Sequence, residues 1–134
     1  MANTCIPGCG FHHLALRVRD FDKSYKFYTE TLGFRLRTSW GEGDGKVALL
    51  DLGDGGCLEL FAGRTTEEAQ GIFWHVALKV DDVDAAYERA MAAGCEDYRT
   101  PREALLGDGD VKIAVRLAFV RGFDGELLEF FCEK

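Results

Sequence analysis

The run His-Leu-Ala-Leu-Arg-Val-Arg-Asp at 13–20 returns as His-Val-Ala-Leu-Lys-Val-Asp-Asp at 75–82. The offset of 62 residues holds through Ala15/Ala77, Leu16/Leu78, Val18/Val80, Asp20/Asp82, Asp22/Asp84 and Tyr25/Tyr87. Further along, Leu58-Glu59-Leu60 is matched by Leu128-Glu129-Phe130 at an offset of 70. The chain therefore carries one supersecondary pattern twice, the second copy eight residues longer. Neither copy is large enough to cover its own sheet, so the copies are expected to pair, within a chain or between chains.

Periodicity gives the plan of each copy. Over 11–18, Leu14, Leu16 and Val18 alternate with His13, Ala15 and Arg17, the period of a strand. Asp20 follows as a helix cap, and Phe21, Tyr25, Tyr28 and Leu32 then fall on one helical face before Gly33 ends it. Segments 34–40, 46–52 and 57–62 read as strands separated by glycine-rich breaks. The second copy has a strand at 73–80 and a helix capped by Asp82, with Val83, Ala86, Tyr87 and Ala90 on one face and Gly94 at its end. Strands follow at 95–99, 113–121 and 126–132, and the eight extra residues are placed in a loop at 100–112. The expected fold is α+β, two βαβββ modules in tandem forming a concave mixed β-sheet around a metal site. Its expected divisions are a loose tail at 1–10, a first module at 11–62, a linker at 63–72 and a second module at 73–134, with 11–133 as one domain.

Composition narrows the function. A net charge of −7 argues against nucleic acid and anionic membrane surfaces. No apolar run approaches the ~20 residues of a membrane span. The start Met-Ala-Asn-Thr-Cys lacks the basic and apolar regions of an export signal. A cytoplasmic protein with reduced thiols is expected, its five cysteines being an odd number. Cys5 and Cys9 lack the second pair that a zinc clip needs.

The chemistry lies in four residues. His13, Glu59, His75 and Glu129 share strand faces with Ala15, Cys57, Phe61, Ala77, Leu127 and Phe131. The opposite faces carry Leu14, Leu16, Leu58, Leu60, Trp74, Val76, Leu78, Leu128 and Phe130, which should pack under the helices. Buried carboxylates need a counter-charge. Two imidazoles with two carboxylates, and no thiolate, suit a six-coordinate divalent ion with two positions left for water or substrate. His12 lies on the other face and reads as structural.

The stretches 13–28, Leu-Gly-Phe at 32–34, Leu-Glu-Leu at 58–60, 75–86 and Asp-Gly-Glu-Leu-Leu-Glu at 124–129 resemble the vicinal-oxygen-chelate superfamily, the glyoxalase, bleomycin-resistance and extradiol-dioxygenase group. The resemblance spans 11–133 and is nearest to glyoxalase I, lactoylglutathione lyase. It implies that His13, Glu59, His75 and Glu129 hold one divalent ion per site: nickel or cobalt, as is frequent in short glyoxalases, or zinc. It implies a small-molecule substrate, a hemithioacetal of a 2-oxoaldehyde with glutathione or another thiol. That substrate would become a 2-hydroxyacyl thioester through a metal-stabilised enediolate. Glu129 would act as the base, with Glu59 facing it. Arg17 matches a position that binds a glutathione carboxylate, although a strand-end ion pair would also account for it. Lys79 is its repeat partner and a second substrate-binding candidate. Arg102 and Lys112 read as solvated loop charges.

Two departures from glyoxalases stand out. Gly63 replaces a glutathione-binding Asn, and Phe123-Asp124-Gly125 replaces Pro-Asp-Gly. Other readings are a methylmalonyl-CoA epimerase-like isomerase, which usually has Gln at the place of Glu59, and a thiol transferase or dioxygenase, which use two His and one Glu. A binding protein of the bleomycin-resistance type would lack the ligand set. In glyoxalases of this length the resemblance implies a homodimer, His13 and Glu59 of one subunit meeting His75 and Glu129 of the other. Pairing within one chain is the alternative.

Overall fold

The computed structural model describes residues 1–31, 33–64, 71–122, 125 and 127–134. Leu32, most of the expected linker (65–70), Phe123, Asp124 and Glu126 lie outside the described residues.

The fold is α+β, and the two copies are visible in it. The first runs β1 (Gly10–Arg17), α1 (Phe21–Lys26), β2 (Arg35–Trp40), β3 (Val47–Asp51) and β4 (Cys57–Phe61). The second runs β5 (Phe73–Lys79), α2 (Val83–Ala92), β6 (Glu96–Leu106), β7 (Ile113–Arg121) and β8 (Leu127–Glu133). Both helices start as expected. Asp20 accepts from the Lys23 amide at 3.1 Å and Asp82 from the Ala85 amide at 3.0 Å, so each cap satisfies one orphan donor of its first turn. No helix among the described residues is long and apolar enough to cross a membrane.

The chain divides into two compact units. One comprises His13–Trp74 with Leu106–Ile113. Its strands lie in the order β2-β3-β4-β1, with β1 parallel to β4 and the other pairs antiparallel. Leu16, Ala48, Leu50, Leu58 and Leu60 form its core, and Phe21 and Tyr25 of α1 pack onto them. The other unit comprises Met1–His12, His75–Leu105 and Ala114–Lys134. Its order is β5-β8-β7-β6, with β5 parallel to β8 and β7 antiparallel to β8. Val80, Val83, Ala86, Ala118, Val120 and Phe130 form its core, against Leu78, Tyr87 and Ala90. Burying a Val, Leu or Phe side chain in these cores stabilises by about 1.5–3 kcal/mol.

The structure departs from the sequence reading in four places. The first helix is α-helical only to Lys26 and then widens into a π-helical turn at Phe27–Thr31. Gly33, at φ 78°, lets the Phe34 amide reach back to the Tyr28 carbonyl at 2.9 Å, and the Tyr28 and Phe34 rings stack. Second, residues 100–106 are not loop: β6 continues to Leu106 as a mostly exposed strand. The turn beyond it joins the first unit, where Thr38 Oγ1 donates to the Val111 carbonyl at 2.7 Å and the Asp108 amide to the Ser39 carbonyl at 3.3 Å. Third, the N-terminal tail is docked. Asn3 accepts from the Cys5 and Ile6 amides, Ile6 packs on the second core, and the Asp81 amide donates to the Pro7 carbonyl. Fourth, Trp74 does not pack under a helix. It meets Phe61 edge to face at 4.5 Å, and Val76 is 36% exposed.

Candidate metal centre

Strand pairing brings each histidine to the glutamate of its own copy. In the first unit, β1 and β4 run in parallel with His13 opposite Cys57 and Ala15 opposite Glu59. This register puts His13 and Glu59 on one face, diagonal to each other, and His13 Nε2 lies 3.3 Å from Glu59 Oε1. In the second unit, Ala77 of β5 stands opposite Glu129 of β8, and His75 Nε2 lies 3.1 Å from Glu129 Oε2. The repeat extends to the third strand. Leu49 faces Glu59 from β3 as Phe119 faces Glu129 from β7. The Phe119 ring stands edge-on to His75 at 5.1 Å.

All four side chains are buried, and a buried carboxylate needs a partner that offsets its desolvation. Each glutamate has an imidazole within 3.3 Å. The same separations suit two donors of one divalent ion, because ligands at about 2.1 Å and right angles stand ~3.0 Å apart. His13, His75 and Glu129 are buried donors of the kind that could hold a metal ion.

The other candidates fall into place around these pairs. His12 is structural as expected: its Nε2 lies 2.8 Å from Glu133 Oε2, and its ring packs on Phe131 at 4.2 Å. The Arg17 guanidinium sits over the Trp74 ring at 4.1 Å, a cation–π contact. Lys79 is exposed at the end of β5, and Arg102 and Lys112 are exposed as well. Gly63 has φ +82°, and a Cβ there would come within 2.7 Å of the Asp44 carbonyl oxygen. An asparagine is thus sterically refused at this position.

One residue escaped the sequence reading. β2 bulges between Leu36 and Thr38, so Arg37 is an extra residue in the ladder. Its Nη1 donates to Cys57 Sγ at 3.5 Å, on the face that carries His13 and Glu59. Strict alternation along the sequence does not show such a shift.

Comparison with known proteins agrees with this geometry. Residues 10–130 match the family model of the glyoxalase/bleomycin resistance protein/dioxygenase superfamily. A probable lactoylglutathione lyase of Vibrio parahaemolyticus is 38% identical over 130 residues, covering 91% of this chain and 89% of the relative. A lactoylglutathione lyase of Haemophilus influenzae is 36% identical over 129 residues, covering 91% of each. Among solved structures, methylmalonyl-CoA epimerase of Mycobacterium tuberculosis superposes with a TM-score of 0.73 at 22% identity, over 100% of this chain and 93% of that one. At that identity the likeness speaks to the fold. The chain belongs to the glyoxalase/bleomycin resistance protein/dioxygenase superfamily.

Proposed function

We propose that this protein is a metal-dependent lyase of the glyoxalase I type, converting the hemithioacetal of a 2-oxoaldehyde and a thiol into a 2-hydroxyacyl thioester. The observation that carries the reading is the doubled, buried imidazole–carboxylate pair, one per repeat, in a chain whose 36–38% identical relatives include lactoylglutathione lyases. Two imidazoles and two carboxylates fit a divalent ion, and in this reading His13, Glu59, His75 and Glu129 are its ligands. When bound, the ion supplies Lewis acidity toward the substrate's oxygens.

The chain's own groups move the protons. Glu129 takes the proton from the carbon that bears sulfur and returns it to the neighbouring carbonyl carbon. Glu59 takes the hydroxyl proton of the first carbon and passes it to the oxygen of the second. The first carbon becomes the thioester carbonyl and the second the hydroxyl-bearing carbon, with no net change in atoms or electrons. Burial of both acids keeps water from competing for these protons. Arg17, fixed over Trp74, and Lys79 are the substrate-binding candidates. The loss of a side chain at Gly63 leaves the thiol open between glutathione and a smaller one.

The test is turnover of methylglyoxal hemithioacetals of several thiols by protein stripped and reloaded with nickel, cobalt or zinc. Thioester formation that vanishes on stripping and returns on reloading is expected. A metal-replete protein that turns over none of them refutes the reading. Epimerisation of a 2-substituted malonyl thioester in its place would favour the isomerase named among the structural neighbours.

A further inference from the structure

We infer that Arg37 is a specificity-determining residue, anchoring a carboxylate that the substrate carries only a few atoms from its reacting carbons. This rests on the function proposed above and concerns the same site. The bulge in β2 makes Arg37 an extra residue in the ladder. Its guanidinium reaches Cys57 Sγ at 3.5 Å, and Cys57 is the direct strand partner of His13 and stands two residues before Glu59. A half-buried cation on the edge strand therefore reaches inward over the face that bears the first imidazole–carboxylate pair.

Its neighbours make the position a fixed one. Thr38 is buried, pairs with Leu49 across the ladder, and donates to the Val111 carbonyl at 2.7 Å. The backbone that carries Arg37 is thus pinned on both sides, which lowers the entropy lost when its fork closes on a ligand. Arginine stays charged at every working pH, and its planar fork matches a carboxylate. An anionic substrate approaching Glu59, in a chain of net charge −7, needs a cation close to the reacting atoms. The closeness to His13 sets the length of that substrate: the carboxylate sits a short chain from sulfur, unlike those at the far ends of a tripeptide thiol.

The probes are methylglyoxal hemithioacetals of 3-mercaptopropionate and of 2-mercaptoethanol, offered to the metal-loaded full chain and to its Arg37→Met and Arg37→Lys variants. We expect Arg37→Met to lose about 10- to 100-fold in kcat/KM for the carboxylate adduct, mainly through KM, the span of a hydrogen bond to a charged group. The neutral adduct should lose no more than a few-fold, and Arg37→Lys, which keeps the charge but not the fork, should fall between. Equal losses for both adducts would overturn the inference, since Arg37 would then act on the metal-site residues or the fold; so would no loss for the carboxylate adduct. If the wild-type chain turns over neither adduct, the proposed function fails by itself. Calorimetry of 3-(methylthio)propionate against its amide then decides for Arg37. A wild-type preference for the acid that Arg37→Met abolishes sustains the inference; no preference, or no binding of either, overturns it.

Discussion

Glu129 and Glu59 have the same environment on opposite halves of the repeat, each beside an imidazole and each faced by an apolar residue of the next strand. The proposed division of labour makes Glu129 the carrier of the carbon-bound proton. Glu129→Gln keeps the shape and one oxygen donor but cannot hold that proton at the pH of the assay. Turnover is expected to drop about 100- to 10,000-fold, with circular dichroism and metal content unchanged. Near-normal turnover in a metal-replete Gln variant would remove Glu129 from that role. The repeat makes these acids legible: a lone glutamate in Leu-Glu-Leu says little, but one in each copy, matched to one histidine in each, is too costly to bury without a counter-charge. Arg37 was not legible in the same way. Alternation from Leu36 puts Arg37 on the face of Glu59, but its reach to Cys57 depends on which strands pair beside β2, and nothing in 34–40 signals that.

Among the strands, those with a strong period lie within a residue of where the sequence puts them, and those held by tertiary contact do not. β7 was expected at 113–121 and is found at Ile113–Arg121, because its apolar residues pack on the second core. β6 lacks such a signal: Tyr98 and Leu105 are exposed, and the strand continues past Pro101 along the edge of its sheet. What fixes its neighbourhood is charge. Arg116 of β7 holds Asp84 of α2 with Nε and with Nη2 (2.7 Å), and reaches Glu103 of β6 at 3.2 Å, while Lys134 meets the same Glu103 at 2.7 Å. The Arg116 hydrogen bonds hold the Asp84 carboxyl below its ordinary range, and Lys134, followed by Arg116, does the same for Glu103. A lowered folded pKa means stability that is present above the unfolded value and lost as pH falls through the folded one. Urea unfolding of the wild type and Arg116→Met should therefore differ most at pH 6–7, and the gap should start to close only below the ordinary carboxylate range of about pH 4 and vanish as pH falls through the lowered folded values. These groups are half exposed, so the gap should also shrink in 1 M salt. A gap independent of both pH and salt would show that Arg116 acts through packing of its stem.

At the scale of the molecule, the repeat supplies two compact units, each with its own core and its own imidazole–carboxylate pair. The sequence copies are not the same as these units, since Leu106–Ile113 of the second copy belongs with the first. The family resemblance implies sites shared between two subunits, with His13 and Glu59 from one and His75 and Glu129 from the other. We propose that the sites are shared in this way, two equal sites about a twofold axis. Inactive His13→Ala and His75→Ala proteins, mixed under conditions where tagged chains demonstrably exchange, should then regain activity, because half of the sites in a mixed dimer would hold both lesions and the other half none. Activity is expected to return toward a quarter of the wild-type level, as statistical mixing of two equal pools gives. No return despite demonstrated exchange would show that each chain completes its own site.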